Sequence, residues 1–206
     1  MKINSINNLN FEKRLVAKAK IGQKDNPKKV KIFLMDKAED YYELFDKLNM
    51  PDWKSGCYET AFLHSFACEY VTESFPKSDF FVMENNKGEI VTFANITHNC
   101  TKKSRDAHLN LIETSPALRT FSQANKNRKY KYAGETMIAL LVKFAKKYKE
   151  SFIDLDYDDD AKDFYRKHCN FDVDEASGTA KLSQDSYDKI LKSNAKHINN
   201  SLKILV

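Results

Sequence analysis

One segment constrains the fold of this chain more than any other, a strongly amphipathic stretch at residues 134–148. Its apolar side chains fall on one stripe at helical spacing, with lysines opposite: Met137, Leu140, Leu141, Phe144 and Tyr148. Strand-like segments at residues 107–114 and 151–157 flank it, and a second short helix is predicted at 160–168. Helices that alternate with strands are typical of crossovers between neighbouring parallel strands. We therefore predict that both helices, at 134–148 and at 160–168, cross over between neighbouring parallel strands.

The other predicted elements complete a mixed α/β (α+β) architecture with one central sheet flanked by helices. Residues 30–35 form a strand, 37–48 and 58–71 form amphipathic helices, and 117–130 form a long polar loop. Residues 79–83 and 89–97 flank Asn85-Asn86-Lys87-Gly88, which predicts a hairpin. Strands at 171–173 and 179–182 and a helix at 185–192 follow.

Length and composition favour a single domain of ordinary size, or at most two small ones, and exclude several classes of protein. The chain has 206 residues, 42% of them hydrophobic, and no apolar run near the roughly 20 residues that span a membrane. Its first residues do not resemble a secretory signal, and its four cysteines are widely separated, so we expect a cytoplasmic protein without a metal site. We divide the chain into an extension at 1–29, a domain at 30–183 and a C-terminal helix and tail at 184–206.

The first 35 residues are strongly basic. They hold nine Lys or Arg residues against Glu12 and Asp25, whereas the whole chain has a net charge of +5. Few aromatic residues interleave these lysines as base stacking would require, so we interpret the segment as a solvated arm. Contact with a nucleic acid or an acidic partner is the alternative.

The residues that begin the amphipathic helix suit an anion. Lys131 and Gly134 lie in the sequence Lys-Tyr-Ala-Gly-Glu-Thr at residues 131–136. The first turn of a helix has unpaired N–H groups and the positive end of the dipole, and a glycine lets an anion come close to them. A phosphate site is therefore one interpretation, and a glycine in an ordinary turn beside a surface lysine is the other.

The same helix start, together with a later segment, resembles the GNAT N-acetyltransferase superfamily. That family has Arg/Gln-x-x-Gly-x-Gly/Ala at the start of its acetyl-CoA helix, and an Asn-x-x-Ala-x-x-Phe-Tyr-x-x-x-Gly-Phe segment farther along. Residues 131–141 and 161–171 of this chain are similar to these two motifs. The resemblance covers roughly residues 30–182 and implies a sheet with splayed central parallel strands, here 107–114 and 151–157, between which acetyl-CoA lies.

The chain departs from the family pattern at several positions. Lys131 replaces Arg or Gln, and Thr136 replaces Gly or Ala, so its hydroxyl either donates to a phosphate or its bulk weakens binding. Glu135 adds a negative charge near the anion. Asp158 replaces the Asn, and Asn170 replaces the Gly, which asparagine can do because it tolerates the left-handed conformation.

The resemblance also implies residue roles. Tyr165 matches the tyrosine that protonates the leaving thiolate, although Phe164 and Tyr165 are simple core aromatics in the alternative interpretation. The residues expected to contact acetyl-CoA are Ile112, Thr114, Lys131, Tyr132, Ala133, Gly134, Glu135, Thr136, Asp158 and Ala161. Backbone N–H groups at 112–114 would polarise the thioester carbonyl.

Glu113 is the candidate base that deprotonates the amine. Because Leu109 and Leu111 would share its strand face, we expect a partly desolvated carboxylate with a raised pKa. A β-bulge would alter this register. An exposed glutamate at the strand end is the alternative, and a chain of water molecules could also serve as the base.

These features predict an acetyl-CoA-dependent N-acetyltransferase that acts by direct transfer in a ternary complex. The acceptor is expected to be a primary amine on a small molecule, a peptide or an aminoacyl group, with no membrane partner; a homodimer and a nucleic acid are further alternatives. A non-catalytic acyl-CoA-sensing or partner-binding module of the same fold is the second hypothesis, because Thr136 and Asp158 depart from the family pattern.

Overall fold

The computed structural model describes residues 13–23, 26–35, 78–100, 105–115, 132–197 and 202–205. In chain order the elements are β1 (Arg14–Gln23), β2 (Asn26–Leu34), β3 (Ser78–Asn85), β4 (Ile90–Cys100), β5 (Arg105–Thr114), α1 (Ala133–Tyr148), β6 (Phe152–Asp156), β7 (Asp172–Asp174), β8 (Thr179–Ser183), α2 (Gln184–His197) and β9 (Lys203–Ile204). A 3₁₀ turn (Asp159–Ala161) and a π-helical turn (Phe164–His168) connect β6 to β7. The helices predicted at 37–48 and 58–71 and the loop predicted at 117–130 lie outside the described residues.

The nine strands form one mixed sheet in the order β7-β8-β6-β5-β4-β3-β2-β1-β9. Neighbouring strands are antiparallel except for β5 and β6, which are parallel and joined through α1. The mixed α/β class, the hairpin of β3 and β4 and the crossover over α1 are therefore confirmed. The second predicted crossover is wrong in one respect: β8 lies between β6 and β7, so these two strands are not neighbours.

The core lies between α1 and one face of the sheet. Ten of the sixteen residues of α1 are buried, among them Met137, Leu140 and Leu141, because apolar residues recur at helical spacing. They pack against buried side chains of the sheet such as Phe81 and Leu109. The second helix, α2, adds Tyr187 and Ile190 to the same cluster. We refer to this side of the sheet as the helix face.

The N-terminal segment is not an arm, as far as the structure describes it. Residues 14–23 form β1, which pairs with β2 on one side and with β9 on the other. Its alternation of small apolar residues and lysines explains this, because Ala17, Ala19 and Ile21 are buried against the core while Lys18 and Lys20 are exposed. The sheet therefore begins before residue 30, and the solvated-arm interpretation is wrong for β1.

Candidate functional site

The two central parallel strands separate soon after they pair. Pairing between β5 and β6 is limited to Ala107 with Ile153 and His108 with Asp154. Beyond this point β5 continues to Thr114 and β6 to Asp156. In the described part of the chain no other strand pairs with this edge of β5 from Leu109 onward. The separation of β5 from β6, which we call the wedge, is the splay that the family resemblance implied.

A β-bulge in β5 lies next to the start of the wedge. Asn95 pairs with Leu111 and Ile96 with Leu109, which leaves Asn110 as the extra residue. The Asn110 side-chain amide donates to Asn95 Oδ1 at 2.6 Å and to Thr97 Oγ1 at 2.8 Å. An extra residue bends a strand and interrupts its pairing, so the bulge explains why β5 turns away from β6 here.

The bulge also changes the face on which Glu113 lies. Leu109 belongs to the core under α1, but Glu113 pairs with Phe93, which lies outside that core cluster. Glu113 therefore shares its face with Leu111 and not with Leu109, so the predicted register is wrong for Leu109. Glu113 is buried nonetheless, with 7% of its surface exposed, on the face of the sheet opposite the helices.

The start of α1 lies beside the end of β5. A Cβ built on Gly134 would lie 3.8 Å from Thr114 Oγ1. Tyr132 precedes the helix in the left-handed conformation, with φ 68°, and no side chain caps the first turn. Within the described chain, no acceptor bonds the backbone N–H groups of Ala133, Gly134 and Glu135. These donors and the helix dipole suit an anion.

Thr136 does not point toward this anion position. Its side chain is fully buried, and its hydroxyl donates to the carbonyl oxygen of Tyr132 at 2.6 Å. The hydroxyl proton is therefore committed within the helix, and the β-branched side chain faces the core. Neither of the two effects predicted for Thr136, donation to phosphate or steric obstruction, fits this geometry.

Glu135 lies close to a histidine of the segment after β6. Its carboxylate lies 3.8 Å from Nδ1 of His168, on the π-helical turn. Lys131, the basic residue predicted to support the anion, lies outside the described residues.

Tyr165 comes from the π-helical turn after β6. It is 7% exposed and packs edge-on against Phe164 and Phe171. Burial raises the pKa of the Tyr165 hydroxyl, and the nearby Cys169 and Asp158 raise it further. A phenol in this environment keeps its proton at neutral pH, as a general acid must before it donates.

Asp158, Phe164 and Asn170 are the other residues of this segment that the family resemblance singled out. Asp158 is exposed and precedes the 3₁₀ turn, where the Ala161 N–H bonds its carbonyl oxygen at 2.8 Å. The Phe164 ring covers Gly134, since a Cβ added there would lie 2.9 Å from Phe164 Cζ. Asn170 adopts φ 53°, so the left-handed conformation expected at this position is confirmed.

Sequence reasoning missed a polar pair at the closed end of the wedge. His108 Nδ1 lies 2.8 Å from Asp154 Oδ1, and both side chains are partly exposed. His108 pairs with Thr97 on β4, so it lies on the same face of the sheet as the Asn110 contacts. The sequence did contain a signal for this pair: a histidine lies in the predicted strand 107–114, and aspartates lie in the predicted neighbouring strand 151–157. The side chains of His108, Asp154 and Asn110 make the non-helix face of the wedge polar, and we call these three residues the polar floor.

A separate cavity of about 310 Å³ lies between α1, α2 and Leu202, and its lining includes Lys143 and Asn194. Its walls offer no unpaired helix N-terminus or strand edge of the kind found at the wedge. We therefore place the candidate site at the wedge, where the donor set matches an anion followed by an amide-bearing chain.

No described helix combines the length and apolarity needed to cross a membrane. Among the residues that the structure describes, no group of three or more His, Cys, Asp or Glu is arranged to hold a metal ion.

Comparisons of sequence give no relatives: no protein-family model and no curated protein matches the chain. Comparisons of structure, in contrast, find similar proteins. AtaTR bound with acetyl-CoA has a TM-score of 0.55 at 12% identity, over 78% of this chain and 97% of that one. A protein assigned to the GNAT acetyltransferase family from Desulfovibrio desulfuricans has a TM-score of 0.55 at 10% identity, over 75% and 99%. AtaT complexed with acetyl-methionyl-tRNAfMet has a TM-score of 0.54 at 9% identity, over 78% and 98%. At these identities the likeness concerns architecture, and this chain has the fold of GNAT-family acetyltransferases.

Proposed function

We propose that this protein is an acetyl-CoA-dependent N-acetyltransferase that moves an acetyl group to a primary amine by direct transfer in a ternary complex. The observation that supports this most strongly is the wedge between β5 and β6, with the uncapped start of α1 at its open end. Ligands of sheets with parallel strands bind at the carboxyl ends of those strands. The fold is shared with AtaTR, which is bound with acetyl-CoA.

The chain offers two kinds of group that fit this co-substrate. The N–H groups of Ala133, Gly134 and Glu135 would hold the pyrophosphate, with Lys131 adding positive charge. The edge of β5 at residues 112–114, with which no other described strand pairs, would bond the amides of the pantetheine arm, as a neighbouring strand does. On the opposite side of the wedge, Asp158 and Ala161 would contact the same arm.

Acetyl transfer requires three tasks of the protein. The amine nitrogen forms a bond to the carbonyl carbon and loses a proton, the carbonyl oxygen gains negative charge, and the carbon–sulfur bond breaks. The thioester supplies an activated acyl group. In our proposal Tyr165 gives its proton to the leaving sulfur, and β5 backbone N–H groups at 112–114 stabilise the oxygen. Glu113, or water held near it, accepts the proton of the amine.

The acceptor would approach from the non-helix face, where Glu113 and the polar floor lie. A small molecule, a peptide and an aminoacyl group all present a primary amine to this face. The likeness to AtaT, a protein complexed with acetyl-methionyl-tRNAfMet, supports the aminoacyl group among these three.

The test combines binding and turnover. Titration calorimetry with acetyl-CoA should give heat of binding, and thiol release should follow when amines and aminoacyl-RNA are added. The Tyr165→Phe variant should bind acetyl-CoA with unchanged affinity but lose acetyl transfer by about 10²-fold or more, because it lacks the acid.

The matched control is Tyr187→Phe. Tyr187 of α2 is also a buried tyrosine, and within the described residues its hydroxyl has no hydrogen-bond partner. This variant should keep full turnover. Equal turnover of Tyr165→Phe and the native protein would remove the proposed acid, and absence of acetyl-CoA binding would remove the proposed function.

A second candidate is the acyl-CoA-sensing module without catalysis. The Phe164 ring against Gly134 favours it, because that ring covers part of the helix start. Acetyl-CoA binding without thiol release from any amine would identify this function.

A further inference from the structure

The cavity of about 310 Å³ between α1 and α2 is lined by none of the residues assigned to the wedge. Ala139 and Lys143 of α1 line it, and they lie on the same helix face because they are four residues apart. Leu202 and five residues of α2 complete the lining: Asp188, Leu191, Lys192, Asn194 and Ala195. Binding sites for small molecules begin at about 300 Å³. The cavity therefore has room for a small metabolite.

Asn194 is a buried polar residue of the cavity wall without hydrogen-bond partners. Only 4% of its surface is exposed, and within the described residues neither its Oδ1 nor its Nδ2 takes part in a hydrogen bond. Most buried amide groups of folded proteins have such partners, and an unpaired one is destabilising. Because Asn194 lines the cavity, a ligand there can pair with both atoms. That ligand has to offer a donor to Oδ1 and an acceptor to Nδ2.

The charged residues of the lining favour an anionic acceptor. Lys143 and Lys192 contribute two ammonium groups, against the single carboxylate of Asp188. Asp188 Oδ1 already accepts from Lys146 Nζ at 2.6 Å. Lys143 Nζ donates to the carbonyl oxygen of Leu202 at 3.0 Å, and an ammonium group has three N–H donors, so donors remain for a ligand. Burial lowers the pKa of Lys143, because its charge is poorly solvated, and a bound anion would stabilise that charge.

Apolar side chains make up the rest of the lining. Leu202 belongs to the buried core, and Leu191 packs against that core while it stays partly exposed. Ala139 and Ala195 have short side chains, which leave space between the two helices. A ligand whose apolar part contacts these residues gains free energy because that part leaves water.

We propose that the cavity between α1 and α2 binds a small apolar α-amino acid, with L-leucine as the representative of this class. The carboxylate of the ligand accepts from Asn194 Nδ2 and Lys143 Nζ, and its ammonium group donates to Asn194 Oδ1. A primary amide would also pair with Asn194, but it brings no anion to Lys143. A simple fatty acid brings the anion, but it has no donor for Oδ1. Such binding does not depend on the proposed function, because none of these groups belongs to the wedge.

Titration calorimetry with three related probes tests the class of ligand. L-leucine, isocaproate and L-leucinamide have the same apolar side chain, but isocaproate lacks the ammonium group and leucinamide lacks the carboxylate. L-leucine should bind, and each of the other two should bind more weakly by about tenfold or more, because each loses a charge-assisted hydrogen bond. Absence of leucine binding overturns the proposal, as does equally tight binding of either analogue.

The variant Asn194→Leu tests the place of binding. It should abolish leucine binding and leave the melting temperature unchanged or raised, because an apolar side chain of similar size replaces a buried amide without partners. Retained leucine binding would place the ligand elsewhere and overturn the proposal. A lowered melting temperature would also overturn it, since the amide would then have a structural role.

The variant Lys143→Met tests the carboxylate contact independently. It should weaken leucine binding about tenfold and leave the affinity for leucinamide unchanged, since only leucine carries the carboxylate. The matched control is Lys189→Met, because Lys189 of α2 is exposed and does not line the cavity. Equal weakening in these two variants overturns the proposed contact. Acetyl-CoA calorimetry should be unchanged in all three variants, so failure of leucine binding and failure of the proposed function are separate results.

Discussion

At the scale of single residues, His98 of β4, which pairs with Ala107 of β5, has a strongly raised pKa. His98 near the end of β4 bonds Glu150 Oε1 through Nδ1 at 2.5 Å and Asp79 Oδ2 through Nε2 at 3.2 Å. Burial alone would lower the pKa of His98, but the hydrogen bonds and charges of these two carboxylates outweigh it and raise the pKa to about 9. The imidazolium thus neutralises Glu150, which is completely buried.

This cluster predicts a dependence of stability on pH. Because the pKa of folded His98 lies above its ordinary value of 6.5, its contribution is complete below pH 6.5 and is lost as pH rises through about 9. His98→Gln should lower the free energy of unfolding by about 3 kcal/mol near neutral pH, since Glu150 becomes a buried unpaired charge. Urea denaturation at several pH values measures both effects.

The control for this prediction is His168→Gln, because the side chain of His168 is 61% exposed. It should leave the free energy of unfolding near neutral pH unchanged. If His98→Gln and the native protein lost stability in parallel between pH 6.5 and 9, the imidazolium would not be the titrating group.

Single residues near the site differ in how well the sequence predicted them. Asn170 was predictable because its left-handed backbone follows from its own side chain. The face of Glu113 was not, because one extra residue, Asn110, reverses the alternation of β5. The contacts that hold Asn110 come from β4, a strand adjacent in space but not within the local pattern.

At the scale of elements, α1 was the most predictable part of the molecule. Its stripe of apolar residues and its glycine define both its buried face and its start, and the observed bounds differ from the predicted ones by one residue. The segment at 159–168 was less predictable from the sequence, because no periodic pattern of apolar residues marks a π-helical turn. There the Cys169 N–H bonds the Phe164 carbonyl, five residues back, at 3.2 Å.

The first turn of α1 allows a test with two alanine substitutions. Gly134→Ala should lower acetyl-CoA affinity about tenfold, because the new Cβ, 2.9 Å from Phe164 Cζ, forces the ring toward the wedge. Thr136→Ala should leave the affinity unchanged, because Thr136 faces the core. Its stability should change by less than about 1 kcal/mol, as helix propensity offsets the lost hydrogen bond.

Calorimetry with acetyl-CoA and thermal unfolding of both variants check this prediction. Each variant serves as the control for the other, since both place alanine in the same turn. Weaker binding of Thr136→Ala with normal binding of Gly134→Ala would show that the anion does not lie at these N–H groups.

At the scale of the whole molecule, the basic N-terminal segment is part of the sheet. Charge composition suggested a separate arm because lysines outnumber acids, but every second residue of β1 from Ala17 to Ile21 is apolar and buried. A strand in which lysines alternate with apolar residues is easily mistaken for a solvated segment. The strands that pair with β1 on either side, β2 and β9, come from different parts of the chain. The helices predicted at 37–48 and 58–71 stay predictions.

Removal of residues 1–29 should therefore unfold the protein. Circular dichroism should show loss of the cooperative thermal transition, because β1 links β9 to β2 and buries core residues. As a milder test, Ile21→Ala should cost about 2–4 kcal/mol, whereas Lys29→Ala in β2 should cost less than about 0.5 kcal/mol. A truncated protein with a native melting temperature would restore the arm interpretation.

The short pairing between β5 and β6 has a consequence for the molecule as a whole. Among the described residues, the sheet pairing between strands β1–β5 and strands β6–β8 is limited to two residue pairs, and α1 connects the two parts along the chain. The angle between these two parts sets how far the wedge opens, and the His108–Asp154 pair lies at its vertex. Any molecule that bridges both walls is thermodynamically linked to that angle, so occupancy of the wedge and the contact between His108 and Asp154 influence each other reciprocally.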